Sequence, residues 1–362
     1  MRTFCMVDHV EKSPTLKQFA KGLQEEMESN GYHLTEPDDV NLQLVFNFVD
    51  PKRPRHFRRR GKGTFVVTIV ENNQPGDNIL KKGYPILVRS LANMMIYLDY
   101  TQEKINTYFI TLEQGYYPIP GDLNDPLFYK QIFDRLRPLA TAELIIDNQF
   151  QKDLSQDLWE GNDITEQLSW AGKQLDQLNL LPAPFPIHEL LSEKEMRHIE
   201  KLYGIGGLSY GNLSARHEEN RFWMSASGVD KSNLKQIGQD ILLIKGYAAD
   251  QKAMQISIPP HIKPRRASVD AIEHWMIYNE HPDVGAIVHI HAWMDDIEST
   301  EINYPCGTLQ LAEAVAEKVR QAKDPSRAVI GLKNHGLTIT GRDLEDIFTR
   351  IEGRIIPQVP MS

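Results

Sequence analysis

Apolar positions in the first part of the chain alternate between the two regular periods. After Ser13-Pro14, a capping hydroxyl followed by a proline suited to a first turn, Leu16, Phe19, Ala20, Leu23 and Met27 recur on one helix face, and Gly31 ends the run. Runs rich in β-branched and aromatic residues at Leu42 to Val49, Thr64 to Glu71 and Asn106 to Glu113 predict strands. Pro85 through Leu98 and Pro126 through Leu139 predict helices. Residues 1–150 therefore predict a small α+β domain, whose role the pattern leaves unassigned. Its most charged stretch joins two of the strands, from Pro51 to Lys62, with Arg58, Arg59 and Arg60 following Phe57. Arginine forks suit a phosphate, an acidic partner or RNA stacked on Phe57, and a solvated loop explains the same charges.

Residues 151–186 turn polar, with a helix predicted from Thr165 to Leu178 and then Pro182-Ala183-Pro184-Phe185-Pro186. Prolines at that density cannot continue a helix, so the stretch reads as a semi-rigid connection ahead of a second domain at 187–362. Ser192-Glu193-Lys194-Glu195 is a capping box that starts a helix running to about Tyr203. A glycine-rich turn follows, Gly204 to Arg216, in which backbone amides can approach an anion while Ser209 and Asn212 donate from side chains. Arg221 to Met224 and Asp240 to Tyr247 predict strands around a second small, hydroxyl-rich turn, Ser225-Ala226-Ser227-Gly228. A helix then begins near Ser268, and the free amides at such a start also favour an anion.

Val284 to His291 ends an apolar strand pattern on His289-Ile290-His291. Strand side chains alternate faces, so the two imidazoles point the same way and offer half of a tetrahedral metal site. His335, in a turn between the apolar run Ala328-Val329-Ile330 and Leu337-Thr338-Ile339-Thr340, offers a third ligand. A pair of hydrogen-bonded structural histidines is the other reading of the same spacing.

The 362 residues suffice for two cores, and 41% hydrophobic with 25% charged residues is ordinary for a soluble chain. No apolar run is long enough to span a bilayer, and Met1 to His9 carries no export pattern, so cytoplasm is expected. Cys5 and Cys306 are too far apart to make a metal-type or redox pair, which leaves zinc to the histidines. A formal charge of -9 argues against general nucleic-acid binding.

Five motifs in order resemble the class II aldolase/adducin family: Gly211-Asn212-Leu213-Ser214, Ser225-Ala226-Ser227-Gly228, Ser268-Val269-Asp270, His289-Ile290-His291 and His335-Gly336. The resemblance runs from about Ser192 to Gly353 and implies an α/β fold with a class II aldolase-like α/β/α domain. It implies Zn²⁺, or another divalent transition metal, on His289, His291 and His335, and a sugar-phosphate substrate held by Ser209, Asn212, Ser227, Gly228 and Ser268. Asp270 falls where the family carries its catalytic Glu; Glu273, one helical turn on, is an alternative acid/base, and Tyr304 stands in for a tyrosine proton donor. An aldol-type lyase that assembles as a homo-oligomer is the expected function. Epimerisation or dehydration on the same site, and an inactive adducin-like binding module, are the alternatives. The segment Asp295 to Pro305 is shorter than the family's, and the chain stops soon after a helix expected at Leu344 to Arg354, which implies a reduced active-site wall and fewer elements to complete neighbouring sites.

Overall fold

The computed structural model describes residues 2–61, 63–73, 78–101, 104–182, 187–203 and 210–361. Internal contacts divide the chain into two units, Met1–Thr141 with Phe185–Leu202, and Ala142–Pro184 with Tyr203–Met361.

In the first unit, β1 (Arg2–Asp8), α1 (Pro14–Ser29), β2 (Tyr32–Leu34), β3 (Leu44–Phe48), β4 (Phe65–Asn72), α2 (Ile79–Arg89), β5 (Met94–Thr101), β6 (Lys104–Thr111), β7 (Gly115–Ile119) and α3 (Pro126–Thr141) build one sheet with its helices. Strand order is β2-β1-β3-β4-β5-β6-β7, parallel from β2 to β5 and antiparallel beyond. Every residue of β3 is buried, as expected of a parallel strand covered on both faces. The side chain of Ser13 accepts from the Leu16 backbone N–H at 3.0 Å, the cap that its position suggested.

The helix expected from Pro85 to Leu98 is a correction. The helix is α2, capped by Asn78 and containing Pro85, and Met94–Thr101 is strand β5. A short unbroken apolar run has no period to separate a buried helix from a buried strand. In the basic loop, Arg59 donates to the Thr64 carbonyl and to Asn93 Oδ1, and Arg60 to the Asp38 carbonyl, so two of its arginines tie the loop down. Lys62 lies outside the described residues.

The second unit begins with β8 (Asp147–Gln151) and α4 (Asp163–Gln177). Thus the stretch expected as a connection carries a core helix, on which Leu168, Ala171 and Leu175 are wholly buried. Of its proline cluster, residues 183–186 lie outside the described residues. Helices α5 (Ile187–Leu190) and α6 (Glu193–Tyr203) group with the first unit, and α6 opens on the capping box: Ser192 N and Oγ both donate to Glu195 Oε2, at 2.9 and 2.7 Å. The chain returns where Tyr210 N donates to the Leu181 carbonyl at 2.7 Å.

From there run β9 (Asn212–Glu218), β10 (Arg221–Ser225), β11 (Ile241–Ala248), β12 (Ala253–Ser257), α7 (Ala271–Glu280), β13 (Ala286–Ile290), β14 (Glu298–Ser299), α8 (Leu309–Gln321), β15 (Val329–Leu332), β16 (Gly336–Gly341) and α9 (Leu344–Ile351). The sheet order is β14-β15-β16-β13-β9-β10-β11-β12-β8, antiparallel from β15 to β12 with a parallel strand at each edge. Helices α4 and α9 pack on each other, as do α7 and α8. The strands that carry or adjoin the expected site residues, β16, β13 and β9, are therefore neighbours within the sheet. No helix among the described residues is long and apolar enough to cross a membrane.

Candidate metal centre

Antiparallel pairing sets the centre of the site. In register, His289 on β13 stands opposite Asn212 on β9 and Thr338 on β16, so the three side chains share one face. His291 follows the end of β13. His335 occupies the turn between β15 and β16, where Asn334 adopts φ 59° and the His335 N–H donates to the Leu332 carbonyl at 3.0 Å. Glycine is required on both sides of β13. A Cβ on Gly211 would lie 2.3 Å from the His289 carbonyl oxygen, and one on Gly336 would lie 2.1 Å from that of Ile290.

The outcome is a cluster of three imidazoles. Nε2 of His335 is 3.1 Å from Nε2 of His289 and 3.2 Å from Nε2 of His291, and the ring centroids are 4.7 to 5.1 Å apart. His289 Nδ1 donates to the Leu337 carbonyl at 3.0 Å, since a carbonyl only accepts, and its Nε2 therefore carries a lone pair. Nitrogens bound tetrahedrally at about 2.0–2.1 Å from one ion stand about 3.3–3.4 Å from each other, close to the spacing here. One proton on His335 Nε2 cannot satisfy both neighbours, whereas a cation satisfies all three nitrogens. Burial, with Asp270 opposing and His335 assisting, lowers His289 to about 4. Burial and the two other imidazoles take His291 well below its ordinary value. Both rings are thus neutral at neutral pH, the form that binds metal.

Beside them, the Asn212 amide donates to Asp270 Oδ2 at 2.7 Å and to Ser268 Oγ at 3.0 Å. Three residues expected in the site are thereby joined. Ser268 precedes the helix rather than capping it: α7 has Asp270 at its N-cap, and Ser268 Oγ accepts from the Asp270 N–H at 3.4 Å. Ser227 is exposed, and its backbone N–H donates to the Arg266 carbonyl at 2.8 Å; Gly228 takes φ 68°. An Ala226–Ala267 bridge sets this turn beside the segment leading to Ser268. Ser209 lies outside the described residues.

Glu273 is buried on α7, accepts from Thr338 Oγ1, and keeps Oε2 without a hydrogen-bond partner among the described residues. Burial, then Asp270, pushes it up to about 8, so it holds its proton at neutral pH. Next to it, His274 Nδ1 is bonded to Ser214 Oγ at 2.8 Å, and that oxygen to Tyr278 Oη at 2.9 Å, which makes His274 part of the packing. Tyr304 is half-buried against the apolar core.

Two residues near the centre had no sequence signal. Lys231 is 2% exposed on the short turn after Gly228, close enough to Asp270, His289 and His291 for their charges to interact, and burial lowers it to about 8. α4 wedges that turn in place, since a Cβ on Gly172 would meet the Lys231 carbonyl oxygen at 1.8 Å. Cys306 places its sulfur 2.9 Å from His335 Nδ1. Both sit in loops, where no periodicity marks a side chain as inward.

Residues 196–294 match the Class II Aldolase and Adducin N-terminal domain. The chain is 25% identical over 179 residues to L-fuculose phosphate aldolase of Methanocaldococcus jannaschii, covering 42% of this chain and 83% of that protein. It is 25% identical over 180 residues to 3-oxo-tetronate 4-phosphate decarboxylase of Haemophilus influenzae, covering 44% and 78%. Against methylthioribulose-1-phosphate dehydratase of Bacillus cereus it is 26% identical over 170 residues, covering 39% and 74%. A solved structure of L-fuculose 1-phosphate aldolase matches at 20% identity with a TM-score of 0.36, over 53% of this chain and 81% of that one.

Proposed function

Since the carboxy-terminal half of the chain belongs to the class II aldolase and adducin family, we propose that it is a zinc-dependent lyase that cleaves a phosphorylated sugar, or a related hydroxy-carbonyl compound, by retro-aldol chemistry. The observation that carries this reading is the convergence of three imidazole Nε2 atoms beside the buried Asp270 carboxyl. Zinc, or another divalent transition metal, held by His289, His291 and His335 would supply a Lewis acid that polarises a substrate carbonyl.

Asp270 is the base. It takes the proton from the hydroxyl β to the carbonyl; the O–H bonding pair becomes the new C=O as the carbon–carbon bond breaks, the pair from that bond passes into the enolate of the original carbonyl, and the carbon next to that carbonyl is later protonated. The Asn212 amide keeps the carboxylate oriented for that transfer. Glu273, already protonated at neutral pH, is the acid of the pair rather than the base. Tyr304, half-buried against the apolar core, is a second proton donor.

Asn212, Ser227, Gly228 and Ser268, with Ser209 and the Lys231 ammonium, hold the remote phosphate and so position the reacting carbons. All three relatives bear names of phosphorylated substrates, which supports that choice of anion. The test is metal content and turnover together. Wild type should carry about one zinc per chain and release an aldehyde from at least one member of a panel of ketose and aldose phosphates, and His289→Ala should lose both. Products of dehydration or epimerisation would replace cleavage with those reactions. A metal-loaded protein that neither turns over nor binds any sugar phosphate would make it an adducin-like binding module.

A further inference from the structure

β13 pairs with β16 as far as Ile290 opposite Leu337, so His291 lies one residue past the ladder and its placement depends on what holds the segment that follows. Trp293 holds it. Its N–H donates to the Ile356 carbonyl at 2.8 Å, and the Ile356 N–H donates back to the Trp293 carbonyl at 2.8 Å, a reciprocal antiparallel pair between the exit of β13 and the chain beyond α9. The indole reaches sideways to β15. A Cβ on Gly331 would lie 2.4 Å from Cη2 and 3.0 Å from Cζ3 of that ring, so the ring rests on bare backbone. We propose that Trp293 is a positioning residue of the metal centre: its backbone fixes the segment that carries His291, and its ring fixes the strand that delivers His335.

The inference rests on the metal reading above and adds a requirement of its own. Of the three imidazoles only His289 belongs to a strand, so the other two need an outside brace to keep their separation, and a working site tolerates a drift of only about 0.5 Å. His335 follows Gly331 by four residues. On its other side Gly331 is held by the segment of β14: Thr300 N donates to the Gly331 carbonyl at 2.8 Å, and Lys333 N donates to Thr300 Oγ1 at 3.0 Å. The strand that leads into the His335 turn is thus clamped between Thr300 and the indole. Thr338 stands opposite both His289 and Ile330, and successive strand residues alternate faces, so a side chain at 331 would project on the face away from His289. The indole therefore lies behind the sheet and acts on the imidazoles through the backbone that carries them.

Trp293→Leu, Trp293→Phe and Gly331→Ala in the full-length protein test the proposal, with Zn²⁺ affinity read by chelator competition, Co²⁺ absorption as a spectroscopic probe and urea unfolding as the control for stability. Losing a group that orients metal ligands weakens binding by about 10–100-fold; Trp293 acts at one remove, so Trp293→Leu should cost about tenfold. Gly331→Ala keeps the indole but sets a methyl under it, so it should lose affinity to a similar degree, and it decides the matter if Trp293→Leu does not fold. Trp293→Phe, whose ring can still cover Gly331, should recover part of the loss. The cobalt ligand-field bands should shift in Trp293→Leu and Gly331→Ala and lie nearer wild type in Trp293→Phe. A folded Trp293→Leu or Gly331→Ala that binds zinc as tightly as wild type, whatever stability it has lost, would make the indole core packing alone and overturn the proposal. Wild type that takes up no metal overturns the metal reading and this one with it.

Discussion

Two glycines with the same backbone angle allow the packing at the metal centre to be separated from backbone conformation. Gly211 and Gly353 both have φ 69°, but a Cβ on Gly353 meets nothing within 4 Å among the described residues, whereas one on Gly211 lies 2.3 Å from the His289 carbonyl oxygen and 3.3 Å from its carbon. Gly353→Ala therefore carries only the left-handed cost, about 1–2 kcal/mol. Gly211→Ala carries that and an overpacking cost of about 1–3 kcal/mol, because β9 and β13 must part by roughly 1 Å to restore ordinary contact. The displaced residue is His289 itself, so metal affinity should fall in Gly211→Ala and stay unchanged in Gly353→Ala. All five tryptophans, Trp159, Trp170, Trp223, Trp275 and Trp293, belong to the second unit, so urea unfolding followed by tryptophan fluorescence reports on that unit. Equal loss of stability in the two variants, with equal zinc affinity, would refute the close-packing account of the Gly-Asn turn.

Three further perturbations probe the surroundings. In Glu273→Gln the amide is neutral at every pH. The wild-type carboxyl, held at about 8 when folded against an ordinary 4.5, contributes stability that falls as pH rises between those values, so the variant should gain on wild type across that window, and a pH-independent difference would show the carboxyl ionised inside. Lys231→Met should keep its zinc and weaken inorganic phosphate or sugar-phosphate binding by about tenfold to a hundredfold in calorimetric titration; unchanged phosphate affinity would remove Lys231 from the anion site. Arg216 donates to the carbonyls of Val284, Tyr278 and His281 at 2.8, 3.0 and 2.8 Å, a fork that lysine cannot reproduce. Arg216→Lys should lose about 2–3 kcal/mol in the tryptophan-detected unfolding, and a loss below half a kilocalorie would show the fork to be dispensable.

Local chemistry is what made parts of the chain legible. Ser13 and the Ser192–Glu195 box mark helix starts through bonds spanning three residues, and those bonds are present at 3.0, 2.9 and 2.7 Å. The His289–His291 pair follows from strand alternation alone. By contrast, the apolar run from Pro85 to Leu98 had no period to divide it into the end of α2 and the start of β5. The stretch around α4 looked like a connection because half of its helix faces water, and its buried half is recognised only with β9 and β10 against it.

The convergence of the site belongs to a different level. His335 reaches the other two rings because β16 pairs with β13 in the register Ile290 with Leu337, a pairing between segments 47 positions apart that no local preference encodes. Lys231 and Cys306 enter the site from loops aimed by remote contacts, Gly172 of α4 against one and the Thr308–Pro305 bond beside the other. Sequence alone thus determined which chemical groups were available and which short segments would present them. Only tertiary structure decided which groups share a space a few ångströms wide, because side-chain convergence depends on strand register and long-range packing, and residue order carries neither directly.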